Sequence, residues 1–207
     1  EYKYGKRNGK GKEYDEYGGF AFEGNFKNNK RNGKGKEYHY NGKIKFEGEF
    51  LDGLKNGNGK LFDINGKLIY EGNYLKGEKN GYGKEYYDFG KLKFQGEFLN
   101  DKKWNGFGYD PSGNVIYEIK YGQGIIKEYY DSGILKFEGE YINGEINGLV
   151  KEYFINGNLQ FNGEYLKGKR NGKGREYNYQ NKLIYEGEYL EGEQKPKDFD
   201  DEKCINQ

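Results

Sequence analysis

The 207-residue chain has one Cys, one His, two Pro, two Ser, and no Thr or Met. A lone Cys204 excludes an intrachain disulfide and suits a reducing compartment. With only His39, Ser112, Ser132 and Cys204 available, Ser-His and Cys-His nucleophile pairs and His/Cys metal clusters have almost nothing to be built from. No cofactor, metal or catalytic role is therefore expected. Without Met, Glu1 is not expected to be the translated start, and targeting is left unjudged. No run of apolar residues reaches the ~20 of a membrane-spanning helix. Charge is balanced, with 35 basic against 34 acidic residues, which argues against nucleic acid as the partner.

The chain is instead rich in glycine (36) and in rings, with 23 Tyr, 14 Phe and one Trp. Leu, Ile and Val together number only 28, too few for a thick layered core. Aromatic side chains bury large areas each, so a thin sheet covered by rings is the expected solution.

A period then appears. Asn-Gly recurs at Asn8, Asn32, Asn56, Asn80, Asn105, Asn147 and Asn171, with Gln123-Gly124 filling the one gap. Successive spacings are 24, 24, 24, 25, 18, 24 and 24. An aromatic-Glu-Gly-acidic-aromatic signature, as in Phe46 to Phe50, keeps the same spacing with small variations. Within one unit Ile44, Phe46, Gly48 and Phe50 alternate with Lys45, Glu47 and Glu49, the period of a half-buried strand. Asn41-Gly42 signals a hairpin tip. A three- or four-residue loop there is expected to place Tyr38 opposite Ile44 or Phe46, gathering the aromatics on one face, with Glu37 in a charge ladder on the other. Gly53 through Gly59 is read as the second reversal. Mid-strand glycines such as Gly48 are expected under neighbouring rings. The fold class read from this pattern is all-β, an elongated single-layer array of antiparallel β-hairpins. It covers 1–192 in about eight 24-residue repeats, irregular at 101–124, with a polar tail at 193–207 expected to be disordered.

Phe46-Glu-Gly-Glu-Phe50, Gly53 and Gly57-Asn-Gly59 resemble the MORN (membrane occupation and recognition nexus) repeat, and Lys127 to Leu135 resembles its variant form. The resemblance implies the same hairpin array, enzymatic activity only from a separate fused domain, and a role in binding. Residues 1–36 carry a balance of +5, and basic side chains gather around the Asn-Gly links. Of these, Lys27, Lys30, Arg31, Lys34, Lys167, Lys169, Arg170 and Lys173 are the candidate contacts to anionic phospholipid. At the equivalent link Glu145, Ile146, Leu149 and Val150 interrupt any such stripe.

In the irregular unit, Trp104, Phe107 and Tyr109 are the candidate contacts to a protein partner, though Trp104 also reads as filler in a defective repeat. The first expectation for function is a non-catalytic scaffold for protein-protein interaction, or for pairing with further copies of the chain. The alternative is a peripheral adaptor on anionic membranes. Localisation is expected to be cytoplasmic, with cytoskeletal or membrane association. His39, at a hairpin tip, is expected to be structural.

Overall fold

The computed structural model describes residues 1–196, and the chain divides into two units, 1–122 and 123–207. Every regular element among the described residues is a strand. Cys204 and the tail from 197 onward lie outside the described residues.

The first unit opens with a small hairpin, β1 (Tyr2–Lys3) and β2 (Lys6–Arg7). A ten-stranded sheet follows: β3 (Gly9–Tyr14), β4 (Phe20–Lys27), β5 (Lys30–Tyr38), β6 (Ile44–Leu51), β7 (Leu54–Phe62), β8 (Leu68–Leu75), β9 (Glu78–Tyr86), β10 (Leu92–Leu99), β11 (Lys102–Tyr109) and β12 (Val115–Ile119). Each strand pairs with the next in sequence, so the sheet is an uninterrupted antiparallel meander. The second unit repeats the plan in seven strands: β13 (Gly124–Tyr129), β14 (Leu135–Ile142), β15 (Glu145–Tyr153), β16 (Leu159–Leu166), β17 (Lys169–Tyr177), β18 (Leu183–Leu190) and β19 (Glu193–Gln194). Thus Glu193 and Gln194, placed in the polar tail by sequence, pair with Leu190 and Tyr189.

Two kinds of turn build the meander. The tight one joins Leu51 to Leu54 through Asp52 (φ 51°) and Gly53 (φ 92°), both left-handed as a two-residue hairpin of this twist requires. The reversal is therefore shorter than the Gly53–Gly59 turn expected from sequence, and Asn56 and Gly57 fall instead in a bulge inside β7. That bulge has a task. The amide of Gly53 donates to the carbonyl of Arg31 at 2.9 Å, one repeat earlier, and the same bond joins Gly77 to Lys55 (2.8 Å) and Gly192 to Arg170 (2.9 Å). The Asn56 side chain accepts from the Lys76 amide (3.4 Å), and Asn105 does the same for Tyr121 (2.8 Å). The recurring asparagine thus holds the next tight turn, and the glycine after it (Gly57, φ 94°) supplies the backbone a side chain would strain.

The longer tip is closed by His39 N–H to Lys43 O (2.8 Å) and Gly42 N–H to His39 O (2.9 Å). Its register corrects the sequence reading. Tyr38 does face Ile44, but a shift between Glu37 and Tyr38 sets Glu37 opposite Phe46 and Lys36 opposite Glu47. The rings therefore divide between the two faces. Glu37 shares the face of Phe46, and the outer charge ladder is made by Lys36, Glu47, Lys60 and Glu71 instead.

A single sheet has no second layer to bury its apolar face, and the structure solves this with rings and cations. In the first unit eight rings run in sequence, Phe26, Phe22, Phe50, Phe46, Tyr74, Tyr70, Phe98 and Phe94, each edge-to-face on the next at 5.2 to 5.4 Å. Phe22, Phe46, Tyr70 and Phe94 are fully buried. They lie against paired glycines: a Cβ on Gly48 would come within 2.7 Å of the Phe46 ring. The rings are closed from outside by Arg31 over Phe22 (4.3 Å), Lys55 over Phe46 (4.6 Å), Lys79 over Tyr70 (4.6 Å) and Lys103 over Phe94 (5.2 Å). Carboxylates tie the cations together: Glu13 binds Arg7 (2.5 Å) and Arg31 (2.8 Å), Glu37 binds Arg31 (2.6 Å) and Lys55 (3.4 Å), and Glu85 binds Lys79 (2.6 Å) and Lys103 (3.5 Å).

Candidate docking groove

On the face opposite the rings, the first unit carries a groove of about 1000 Å³ that crosses the sheet from β4 to β9. Its floor is backbone. At Gly24, Gly35, Gly48, Gly59, Gly72 and Gly83 the Cβ direction points to the ring face, so nothing rises from the groove side at those positions. The glycines face each other across every strand pair, Gly35 with Gly48 and Gly48 with Gly59, forming one continuous row.

Two walls flank that row. One is the charge ladder, with Lys36 3.2 Å from Glu47 and Lys60 3.8 Å from Glu71. Behind it stand tyrosines that the register shift brings to this face: Tyr38 lines the groove, and the Tyr86 hydroxyl donates to Glu71 at 2.7 Å. Burial, and then the Glu71 carboxylate, push the Tyr86 hydroxyl up to about 12. The other wall is polar and less charged, with Asn73 donating to Asn58 at 2.9 Å and Tyr82 bonded to Gln95. A smaller recess of about 470 Å³, which Tyr82 also lines, runs on toward β12 between Glu97, Phe107 and Tyr121.

The sequence-predicted residues fall in different places. Phe107, 44% exposed, lines that recess. Trp104 is half-buried in β11 at a register shift, where it is an extra residue between Lys103 and Asn105, and its carbonyl accepts from Gly122 (2.7 Å). The Tyr109 carbonyl accepts from the Tyr87 hydroxyl at 2.8 Å, the bond His39 makes to Phe62 (3.1 Å) one repeat pair earlier. His39 is thus a link between hairpin tips.

The basic candidates separate as well. Arg31 and Arg170 are not at the surface of a patch: Arg170 lies 4.1 Å over Phe161, between Glu152 (2.9 Å) and Glu176 (3.1 Å). Lys27, Lys30 and Lys167 are exposed at tight turns, Lys169 is bridged to Glu191 (2.8 Å), and Lys34 and Lys173 stand on the groove face of their units.

Sequence reasoning missed the groove itself. Its signal is the row of mid-strand glycines flanked by charges, which accounts for the groove floor as well as for the space under the rings.

Meandering hairpins of one period, with glycine pairs under rings and Asn-Gly bulges recurring at the links, define an array of β-hairpin repeats. The chain belongs to the MORN repeat family: the MORN repeat matches residues 1–16, 22–44, 46–67, 137–159 and 161–178, and the MORN repeat variant matches 79–100 and 122–143. The irregular stretch 101–121 falls outside these ranges. No curated protein matches the chain. MORN repeats form a non-enzymatic family that occurs in interaction and membrane-binding proteins.

Proposed function

We propose that the chain is a non-catalytic scaffold whose first unit docks a segment of a protein partner in the glycine-floored groove. The observation that carries this is the groove's construction. Six strands present bare backbone between two polar walls, while the opposite face is covered by buried rings with cations over them. Such a trough admits a main chain closely, and the walls supply charge and hydrogen-bonding groups to either side of it.

Membrane binding through the basic turns is supported less. Two of its eight candidate residues, Arg31 and Arg170, are committed to the ring face.

The test is selection of a displayed random-peptide library on the whole chain, followed by binding of the enriched peptides to an Asn58→Trp variant. Tyr82 is native at the equivalent wall position, so the aromatic is compatible with the fold. Loss of binding on the variant supports the groove. Retained binding, or capture of anionic vesicles with no peptide enriched, overturns it.

A further inference from the structure

The second unit changes the chemistry of its equivalent face. Along the polar wall the first unit carries Lys34, Asn58 and Tyr82, whereas the corresponding positions of the second unit are Ile125 and Leu149 before Lys173 restores the pattern. Ile125 and Leu149 are 65% and 64% exposed, and Ile142 and Leu166, on the same face at the adjoining tight turns, are 41% and 47% exposed. Between them stand two carboxylates: Glu140 is the cross-strand partner of Ile125, and Glu164 of Leu149. Each lies against the glycine of an Asn-Gly bulge, Gly148 and Gly172, and forms no hydrogen bond or ion pair among the described residues. Four aliphatic side chains are interleaved with these two acids, while the lysines of the same strands, Lys127 and Lys151, are both engaged by Glu138 (3.9 and 3.4 Å), and the result is a surface that water and an anionic membrane both suit poorly.

We propose that this face of the second unit is a separate docking surface for a basic, apolar peptide segment, in which large aliphatic or aromatic side chains alternate with Lys or Arg. Charge complementarity selects the partner. Its apolar groups cover Ile125, Leu149, Ile142 and Leu166, and its cations meet Glu140 and Glu164. Ile125 and Leu149 stand two strands apart, roughly 10 Å, so the segment runs across the strands and touches successive repeats. The surface is independent of the first unit's groove and uses none of its residues.

The probe is a synthetic fluorescent peptide of leucine and lysine, compared with its leucine and glutamate counterpart, titrated against the full chain by anisotropy. The leucine-lysine peptide should bind and the glutamate version should not. Ile125→Lys combined with Leu149→Lys should weaken binding roughly tenfold or more, because two apolar anchors are lost. Lysine is native at the matching positions 34 and 173, and circular dichroism checks that the variant folds. Glu140→Gln with Glu164→Gln should weaken binding several-fold and flatten its salt dependence. Asn58→Trp, which blocks the other groove, should leave it unchanged. Equal binding of the two peptides, or binding indifferent to both double variants, overturns the proposal. So does self-association of the chain in sedimentation that the lysine variant abolishes, since a second copy would then be the occupant.

Discussion

Gly48 and Gly59 face each other across β6 and β7 so closely that a Cβ on Gly48 would lie 2.6 Å from the Gly59 Cα and 2.7 Å from the Phe46 ring. Neither neighbour can retreat, because the first is backbone in a ladder and the second is fully buried. Gly48→Ala is therefore expected to destabilise the first unit by about 2 kcal/mol or more through overpacking. A lowered midpoint in urea unfolding checks it. The β-branched residues at equivalent positions, Ile119 in the first unit and Ile126 and Val150 in the second, each stand opposite a glycine, so one partner of each pair remains bare.

Arg170 serves as the lid on Phe161 and as the shared counter-charge of Glu152 and Glu176. Arg170→Met keeps much of the apolar cover but leaves two carboxylates facing each other with less compensation. A loss of about 2 kcal/mol is expected, read as a lower thermal midpoint. Reversing the exposed pair of Lys36 and Glu47 should cost well under about 1 kcal/mol by the same measurement.

Acid should loosen the array from this ring-side row. Burial alone would raise Glu85, but Lys103 and Lys79 outweigh it and hold its carboxyl below the usual range. Glu13 and Glu176 are likewise net lowered, by their arginines against their own burial. A carboxyl with a lower pKa folded than unfolded stabilises the fold above its unfolded value, and that stability is lost as pH falls through the folded value. Stability should thus be flat above about pH 5 and fall steadily below about 4.5. Urea midpoints measured across that range check this, and a midpoint that rises on acidification would contradict it.

Tyr74 occupies a position where sister repeats carry Phe50 and Phe98, and its hydroxyl is buried with no hydrogen-bond partner among the described residues. Removing an unsatisfied hydroxyl while keeping the ring restores the sister chemistry. Tyr74→Phe is expected to stabilise the protein by about 1 kcal/mol, seen as a raised midpoint. A destabilised variant would show that the hydroxyl has a partner after all.

The period of 24 residues, the all-β class, the hairpin order and the rings over glycines were legible in the amino-acid sequence because each is local. Strand alternation, turn glycines and repeat spacing all act within a few residues of one another. The faces were not. A single-residue register shift at Tyr38 moved the tyrosines to the groove side and Glu37 to the ring side, and no pattern of residue types distinguishes a bulged tip from an unbulged one of the same length. The same limit hid the role of Arg31 and Arg170. In sequence they look like surface charge beside lysines, and only the packing of neighbouring repeats shows them to be the missing second layer of a sheet one strand thick. Composition and spacing thus decided that hairpins would form and repeat. Tertiary pairing decided which side each side chain would face, and with it which surface the rings close and which is left as a groove.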